Sequence, residues 1–413
     1  MAHHASLDWL NFLLADVRGG LGPYVNVYLL TEAGWDPASI GAVLTLSGLI
    51  GITLHVPVGA FIDATRGKRG LLIAGIVALS ACALSIAFVP TFSVVLTADM
   101  VMAVLGAVFA PTVAAITLGL CEREALPARL GRNAAFDRAG NLVIAAVAGI
   151  VGTAVSQRAI FFLVPFFGTF TVLAILSIPS RAIDHERARG LDPDRADHVH
   201  EEPASWKVLV TCTPLIVLAS AAALFHFASA PMLLLATQKL ALANPGRESA
   251  LTSAAVVTGQ LVMIPMGLVI ARANVLGRKP LLTTALTALP LKGLLFASVD
   301  DPTLLIAGQI LDGIGGGLFD ALLPLVLADI MRHTGRYNVS RGFLSTVQGV
   351  GGSLSQVVAG SIVVAAGYAA AFLTLTGVAL VALVLVALAM PETAPRPLDV
   401  APTRPASTPP ASA

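Results

Sequence analysis

Charge is scarce in this chain. Of its 413 residues only 12% are Asp, Glu, Lys or Arg, and the formal net charge is +1, whereas an ordinary soluble domain is about a quarter charged. So small and even a balance gives nucleic acid or an acidic partner no electrostatic hold. Cysteine is scarcer still. Cys82, Cys121 and Cys212 are scattered, odd in number and without metal-ligand spacing, which fits small core residues better than a disulfide framework or a zinc centre. Catalytic signatures are missing as well: there is no HExxH, no GxSxG and no phosphate-binding P-loop, so no enzyme site, cofactor site or ATP-binding domain is expected. The N-terminal MAHHASLD lacks the basic n-region of a cleavable signal, and the first apolar run is expected to remain in the mature protein.

What fills the chain instead is apolar sequence. Hydrophobic residues make up 56% and the mean hydropathy is +0.85. A membrane-spanning helix needs about 20 mostly apolar residues. Runs of that order lie near 9–30, 39–62, 70–89, 91–120, 134–156, 159–178, 207–237, 250–271, 280–298, 301–331, 342–367 and 369–390. The expectation is an all-α integral membrane protein of about twelve spans. One sustained polar segment, 180–206, divides it into an N-terminal set of six (1–179) and a C-terminal set of six (207–390). The Pro/Ala/Thr-rich remainder, 391–413, reads as a disordered tail.

The basic residues orient these spans, because short cytoplasmic loops collect Lys and Arg. Alternate connections hold Arg66, Lys68 and Arg69, then Arg123, Arg129 and Arg132, then Arg272, Arg278 and Lys279, then Arg332, Arg336 and Arg341; the central segment adds more. The opposite side holds Arg158, Lys239 and Arg247. Both termini, the central segment and the tail are therefore expected in the cytoplasm, with the protein in the plasma (inner) membrane.

The two sets of six carry matching motifs. The fourth run has Gly106 and Phe109 where the tenth has Gly316 and Phe319. The second run ends in Gly59, Asp63, Arg66, Gly67, Lys68 and Arg69; the eighth ends in Gly267, Ala271, Gly277, Arg278 and Lys279. Coincidence with the six-span repeat makes such short likenesses meaningful. The first copy fills every position of Gly-x-x-x-Asp-x-x-x-Gly-Arg/Lys-Arg/Lys, and in this the sequence resembles the major facilitator superfamily over residues 8–390. The resemblance implies two pseudo-symmetric six-helix bundles that expose a central site to either side in turn. It also implies that Gly59, Asp63, Arg66, Gly67, Lys68 and Arg69 form a conformational latch between the halves, favouring the outward-open state. In the second copy Ala271 stands where the acid belongs, which puts any charge-dependent role there in doubt.

Ionisable groups within a bilayer are costly, roughly 3 kcal/mol on insertion scales, and usually face a wet path. Asp16 and Arg18 lie in the first run; about 200° apart on a helix, they need partners elsewhere, and Asp137 with Arg138 at the head of the fifth run are the candidates. Pro23 and Pro231 fall in the repeat-related first and seventh runs, beside Tyr24 and His226, and loosened helices in matching positions point to a transporter's site. In the family resembled, helices one, four, seven and ten line the cavity. Asp312 and Asp320 project within about 80° of each other, about 12 Å apart along the tenth helix, and are the leading proton carriers. Asp99 is a further candidate, Asp329 belongs at the cytoplasmic edge, and Lys292, on a helix peripheral in the family, is expected to snorkel outward. The candidate substrate or proton pathway is thus Asp16, Arg18, Tyr24, Asp99, His226, Asp312 and Asp320.

Two signatures common in the family are missing: Met102 sits where many proton-coupled members carry arginine, and the fifth run lacks the Gly-Pro pair of drug antiporters. His198, His200, Glu201 and Glu202 fit a solvated linker better than a metal site. The expected function is secondary transport by alternating access, coupled to protons, with a monomer exporting a small organic or drug-like solute through the lipid bilayer. The alternative is a proton-driven importer of a small organic anion or metal chelate. A channel lacks a reason for paired motifs and matched loosened helices.

Overall fold

The computed structural model describes residues 2–15, 22–65, 67–121, 126–184, 208–270, 272–332, 334 and 337–394. Among them there are helices and no strands. In chain order these are α1 (Ala2–Ala15), α2 (Gly22–Thr31), α3 (Pro37–Ala64), α4 (Lys68–Phe88), α5 (Phe92–Leu120), α6 (Leu126–Ala154) and α7 (Leu163–Leu176), the last preceded by a 3-10 turn. After the central segment come α8 (Val208–Thr211), α9 (Thr213–Ala243), α10 (Glu248–Ile270), α11 (Ala273–Leu276), α12 (Arg278–Ser298), α13 (Pro302–Ala307), α14 (Gln309–Ile330) and α15 (Tyr337–Ala389).

Among the described residues ten helices are long and apolar enough to cross a membrane. Two features bring the architecture to the expected twelve spans. The first span is shared by α1 and α2. The unusually long α15 contains two spans, separated at Gly367 with φ 83° and ψ 172°, a left-handed conformation that glycine adopts without steric cost. Elsewhere capping sets the boundaries. Asp36 accepts from the amides of Ala38 (2.9 Å) and Ser39 (3.0 Å) at the head of α3, and Asp301 accepts from Leu304 N (3.0 Å) at the head of α13. In both cases a proline follows at the first helical position, where its missing N–H costs nothing.

Each set of six has its own apolar core. One joins Leu72, Ile76, Phe109, Ile116, Val164 and Ile175; the other joins Leu218, Phe225, Met232, Phe296, Phe319 and Phe372. Large apolar side chains such as Val77, Ile150, Phe166 and Leu388 remain on the outside, as expected of a surface that meets hydrocarbon. Lipid tails are as apolar as leucine, so close packing rather than water exclusion must hold these helices together.

That packing is clearest where the halves meet. The antiparallel pair α3 and the first part of α15 interlock along a stripe of small residues. Gly360 faces Pro37 and Ala38, Gly41 faces Gln356 and Val357, Gly48 faces Ser353, and Gly349 faces Ile52. A Cβ at Gly41 would run into the carbonyl of Gln356. Within the stripe Thr45 Oγ1 donates to Ser353 O (2.7 Å) and accepts from Val357 N (3.1 Å). A second seam sets Gly149 and Gly152 of α6 on Ser253 and Ser249 of α10, and Ser253 Oγ donates to Ala145 O (2.8 Å). A third is polar: Gln238 Nε2 of α9 donates to Asn26 Oδ1 of α2 (2.7 Å), Asn26 Nδ2 donates to Leu234 O (3.0 Å), and Tyr368 OH donates to Gln238 Oε1 (3.3 Å). These seams run toward the end of the molecule that holds the 32–36 and 244–247 connections.

At the other end, salt bridges brace each half. Asp8 of α1 is 5% exposed and accepts from Arg129 Nη2 (2.6 Å) and Arg132 Nη2 (2.7 Å) of α6. Arg129 Nε also donates to Asn133 Oδ1 (2.8 Å), and Asn133 Nδ2 to Thr117 Oγ1 of α5 (3.0 Å). In the C-terminal half, Arg278 Nε pairs with Asp329 Oδ2 at 3.0 Å. Residues 391–394 extend the described chain past the boundary expected from sequence. Glu392 accepts from the amides of Arg278 (2.8 Å) and Lys279 (3.2 Å) and so caps α12. The rest of the expected tail, and 185–207 of the central segment with its histidines, lie outside the described residues.

Candidate functional site

A cavity of about 240 Å³ lies against α9, α10, α12 and α14, lined among others by His226, Ser229, Met263, Asp312, Gly316 and Asp320. A second space of about 150 Å³ continues beyond Asp320, bounded by Pro324, Arg341, Ser345 and Gln348. Asp320 belongs to both. Beside the cavity Phe225 and Phe319 stack at a centroid distance of 4.0 Å and an interplanar angle of 8°, and aromatic pairs of this kind contribute about 0.5–1.5 kcal/mol beyond their buried area. This stack fixes the neighbours of each ring, His226 on α9 and Asp320 on α14, beside the cavity.

Asp320 is exposed to that space and has no direct hydrogen-bond partner among the described residues. It lies within electrostatic reach of His226, Arg138 and Asp312. Arg138 comes from the other half: α6 presents its Nη1 at 4.0 Å from Met263 Sδ on the cavity wall. His226 Nδ1 is 3.0 Å from Ala222 O, and Gln348 Nε2 approaches its ring at 3.4 Å. The cavity thus offers a carboxylate, an imidazole, an amide and a guanidinium around apolar walls, a set that suits a polar or charged organic solute and a proton.

Asp312 is differently placed. Lys292 Nζ donates to Asp312 Oδ1 at 2.6 Å, and Lys292 is completely buried, with its Nζ 5.3 Å from the centroid of the Phe296 ring. The expectation that Lys292 snorkels outward is therefore corrected. The side of α12 that carries it faces α14 rather than lipid, and an ammonium without water requires a carboxylate. One turn before Asp312, Gln309 is also fully buried, and neither atom of its amide has a hydrogen-bond partner.

The remaining sequence candidates are dispersed. Asp16 and Arg18 lie outside the described residues, and Arg66 does too. Tyr24 is buried and its hydroxyl donates to Ala145 O of α6 at 2.7 Å. Asp99 is in the N-terminal half, where Ser47 of α3 donates to its Oδ2 in a short hydrogen bond. Gly59 and Asp63 occupy the last turns of α3 and Gly67 the junction to α4. Lys68 is buried and Nζ caps the end of α3 by donating to Ile62 O (3.1 Å) and Thr65 O (3.0 Å). Arg69 Nη2 donates to Leu176 O at the end of α7 (3.1 Å). These bonds of Lys68 and Arg69 stay within their own half.

Sequence reasoning missed Lys292, Gln309, Arg341 and Gln348 as neighbours of the site, and Arg138 as the contribution of the other half to it. Each stood in the sequence as a polar residue in or beside an apolar run, a signal of cost without a direction.

Comparison with known proteins agrees with this architecture. The model of the Major Facilitator Superfamily matches residues 9–289 and 245–413. Two relatives, from two strains of Mycobacterium tuberculosis and both described as uncharacterized MFS-type transporters, are 41% identical over 392 residues, covering 94% of this chain and 93% of theirs. Among solved structures, a point mutant of the nucleoside transporter NupG aligns with TM-score 0.75 at 16% identity, covering 93% of this chain and 99% of that one. A further NupG structure aligns with TM-score 0.70 at 17% identity, covering 94% and 98%; at such identities the likeness is one of fold. With a family match along its length, close relatives of like extent and a twelve-span architecture in two halves, the chain belongs to the Major Facilitator Superfamily, as a multi-pass membrane transporter and not an enzyme.

Proposed function

We propose that this transporter is a proton-coupled monomer that exports a small organic solute across the plasma (inner) membrane, its termini in the cytoplasm. One observation carries the reading: Asp320, a carboxylate without a direct partner among the described residues, borders a cavity lined by the C-terminal half, with Arg138 of the N-terminal half within electrostatic reach, near seams that close one end. The basic connections crowd the opposite end, which the positive-inside rule assigns to the cytoplasm. The conformation accordingly faces the cytoplasm and receives solute from it. His226 and Asp320, with Asp312 nearby, form the substrate and proton region; Asp16, Arg18, Tyr24 and Asp99 support it from the N-terminal half. Gly59, Asp63, Arg66, Gly67, Lys68 and Arg69 then act as a latch in the outward-open conformation.

Transport into proteoliposomes under an imposed pH gradient tests the reading, with ethidium as a drug-like probe. Acid inside accelerates uptake if the protein is an antiporter of the exporting kind. Acceleration by acid outside would overturn export in favour of symport. The fold likeness to NupG nominates labelled uridine as the second probe, because the His226, Gln348 and Asp320 lining suits a polar heterocycle with hydroxyl groups. Saturation and counterflow would distinguish a carrier from a pore.

A further inference from the structure

The reading above leaves two carboxyl groups in one region and a buried lysine without a role. We propose that Lys292 is a positioning residue that locks Asp312 into a neutral ion pair, leaving Asp320 as the cavity carboxyl that takes up and returns the coupling proton. The inference deepens the proton-coupled reading and rests on it.

The geometry separates the two acids. Lys292 is sealed from solvent and its ammonium touches Asp312 Oδ1 at 2.6 Å, and it lies over the ring of Phe296, 5.3 Å from its centroid. Protonating Asp312 would strand that ammonium in a dry site, which proteins avoid because an uncompensated buried charge costs far more than a paired one. Asp320 has no such tie. It faces the cavity, accepts a proton from cavity water when the site is open to acid, and returns it to water when the site opens to the other side, so no further reactant is needed.

Among the described residues the charged and titratable groups around these acids are few. Around Asp320 they are Arg138 on α6, His226 on α9, Asp312 on α14 and Arg341 on α15. Around Asp312, α12 brings Lys292. Glycine 259 of α10 lies against its Oδ2, and the single titratable side chain of α10, Glu248, stands at the far start of that helix. Protonation of Asp320 therefore changes the cavity charge by one, between the cations of Arg138 and Arg341, whereas the Lys292–Asp312 pair contributes none.

The test needs no substrate. Acid-minus-alkaline infrared difference spectra of the protein in lipid nanodiscs report each carboxyl that gains a proton, and subtracting variant from wild type isolates one side chain. Asp320→Asn removes a protonated-carboxyl band, while the double variant Lys292→Met with Asp312→Asn, which keeps the pair neutral, leaves that band in place. Lys292→Met alone frees Asp312 to titrate and adds a second band, a change that a merely structural lysine would not produce; should it fail to fold, the other two variants decide. Survival of the band in Asp320→Asn, its disappearance in the double variant, or an unaltered spectrum in folded Lys292→Met would overturn the proposal. Flux insensitive to pH gradients with these band assignments intact would instead overturn the transport reading alone.

Discussion

Gln238 Nε2 donates to Asn26 Oδ1 at 2.7 Å across the boundary between the two halves, and both residues are 2% exposed. The pair is a polar bond in a dry seam, and its value lies in what happens when one partner is lost. A buried amide left unsatisfied costs about 1–3 kcal/mol, enough to shift a two-state equilibrium by about 5- to 150-fold. Asn26→Leu is expected to weaken closure of this end. An impermeant maleimide should then label Ser353→Cys at least fivefold faster in the Asn26→Leu background than in its absence. Equal labelling rates would show that the bond does not contribute to closure.

The neighbouring seam depends on the absence of side chains. Gly41 leaves no room for a Cβ beside Gln356 O, and Gly48 is similarly occupied by Ser353. Gly41→Leu is expected to leave each half folded, because the glycine faces the other half and not its own core. It should nevertheless prevent this end from closing and reduce ethidium or uridine counterflow at least tenfold. Normal counterflow with normal expression would mean that the helices separate less than this packing demands.

Much of this architecture was legible in one sequence, and the residues explain why. Apolar runs of about 20 residues can only be spans, so the two sets of six followed directly; the bend at Gly367 lay at the junction of two such runs. Asp312, Asp320 and His226 were legible as a group because eight-residue spacing and the internal repeat both have a geometric meaning. Lys292 was not. Its helix has no pronounced polar face, with Thr284 and Thr287 exposed among apolar neighbours, so the sequence registers a costly ammonium without showing which face meets α14. Nor was the partnership of Asp8 with Arg129, 121 residues apart. The small-residue stripes are an intermediate case: Gly41, Thr45 and Gly48 recur every three or four residues and so do Gly349, Ser353, Val357 and Gly360, but spacing alone does not pair one stripe with the other.

The Asp8 cluster gives an unequal pair of variants. Arg129 is 4% exposed in its side chain and Arg132 59%, although both bind Asp8. Removing Asp8 takes the carboxylate away from the buried guanidinium of Arg129, and breaking a buried ion pair costs about 3–5 kcal/mol. Removing Arg132 deletes an exposed contact, which solvent screens. Asp8→Ala should therefore lower the melting temperature in detergent far more than Arg132→Ala. Equal shifts in calorimetry would refute the assignment of Asp8 to the dry side of the cluster.

Glu392 supplies the pH-dependent case outside the membrane spans. Burial alone would raise its carboxyl pKa, but the backbone N–H donors of Ala394, Arg278, Lys279 and Thr393 outweigh that and hold it below its ordinary value. An acid whose folded pKa is depressed contributes stability that is complete above its unfolded value, about 4.3 for glutamate, and is lost as pH falls through the folded value. The comparison is with an N-cap, where substitution costs about 1 kcal/mol. Glu392→Gln is thus expected to lower the melting temperature at pH 7 and to make progressively less difference as pH falls below the ordinary glutamate value and through the lower folded value, where the wild-type carboxylate is itself protonated. If the wild-type and variant curves stayed equally far apart from pH 7 down to acid, the ionised cap at α12 would not be what joins the end of α15 to the rest of its half.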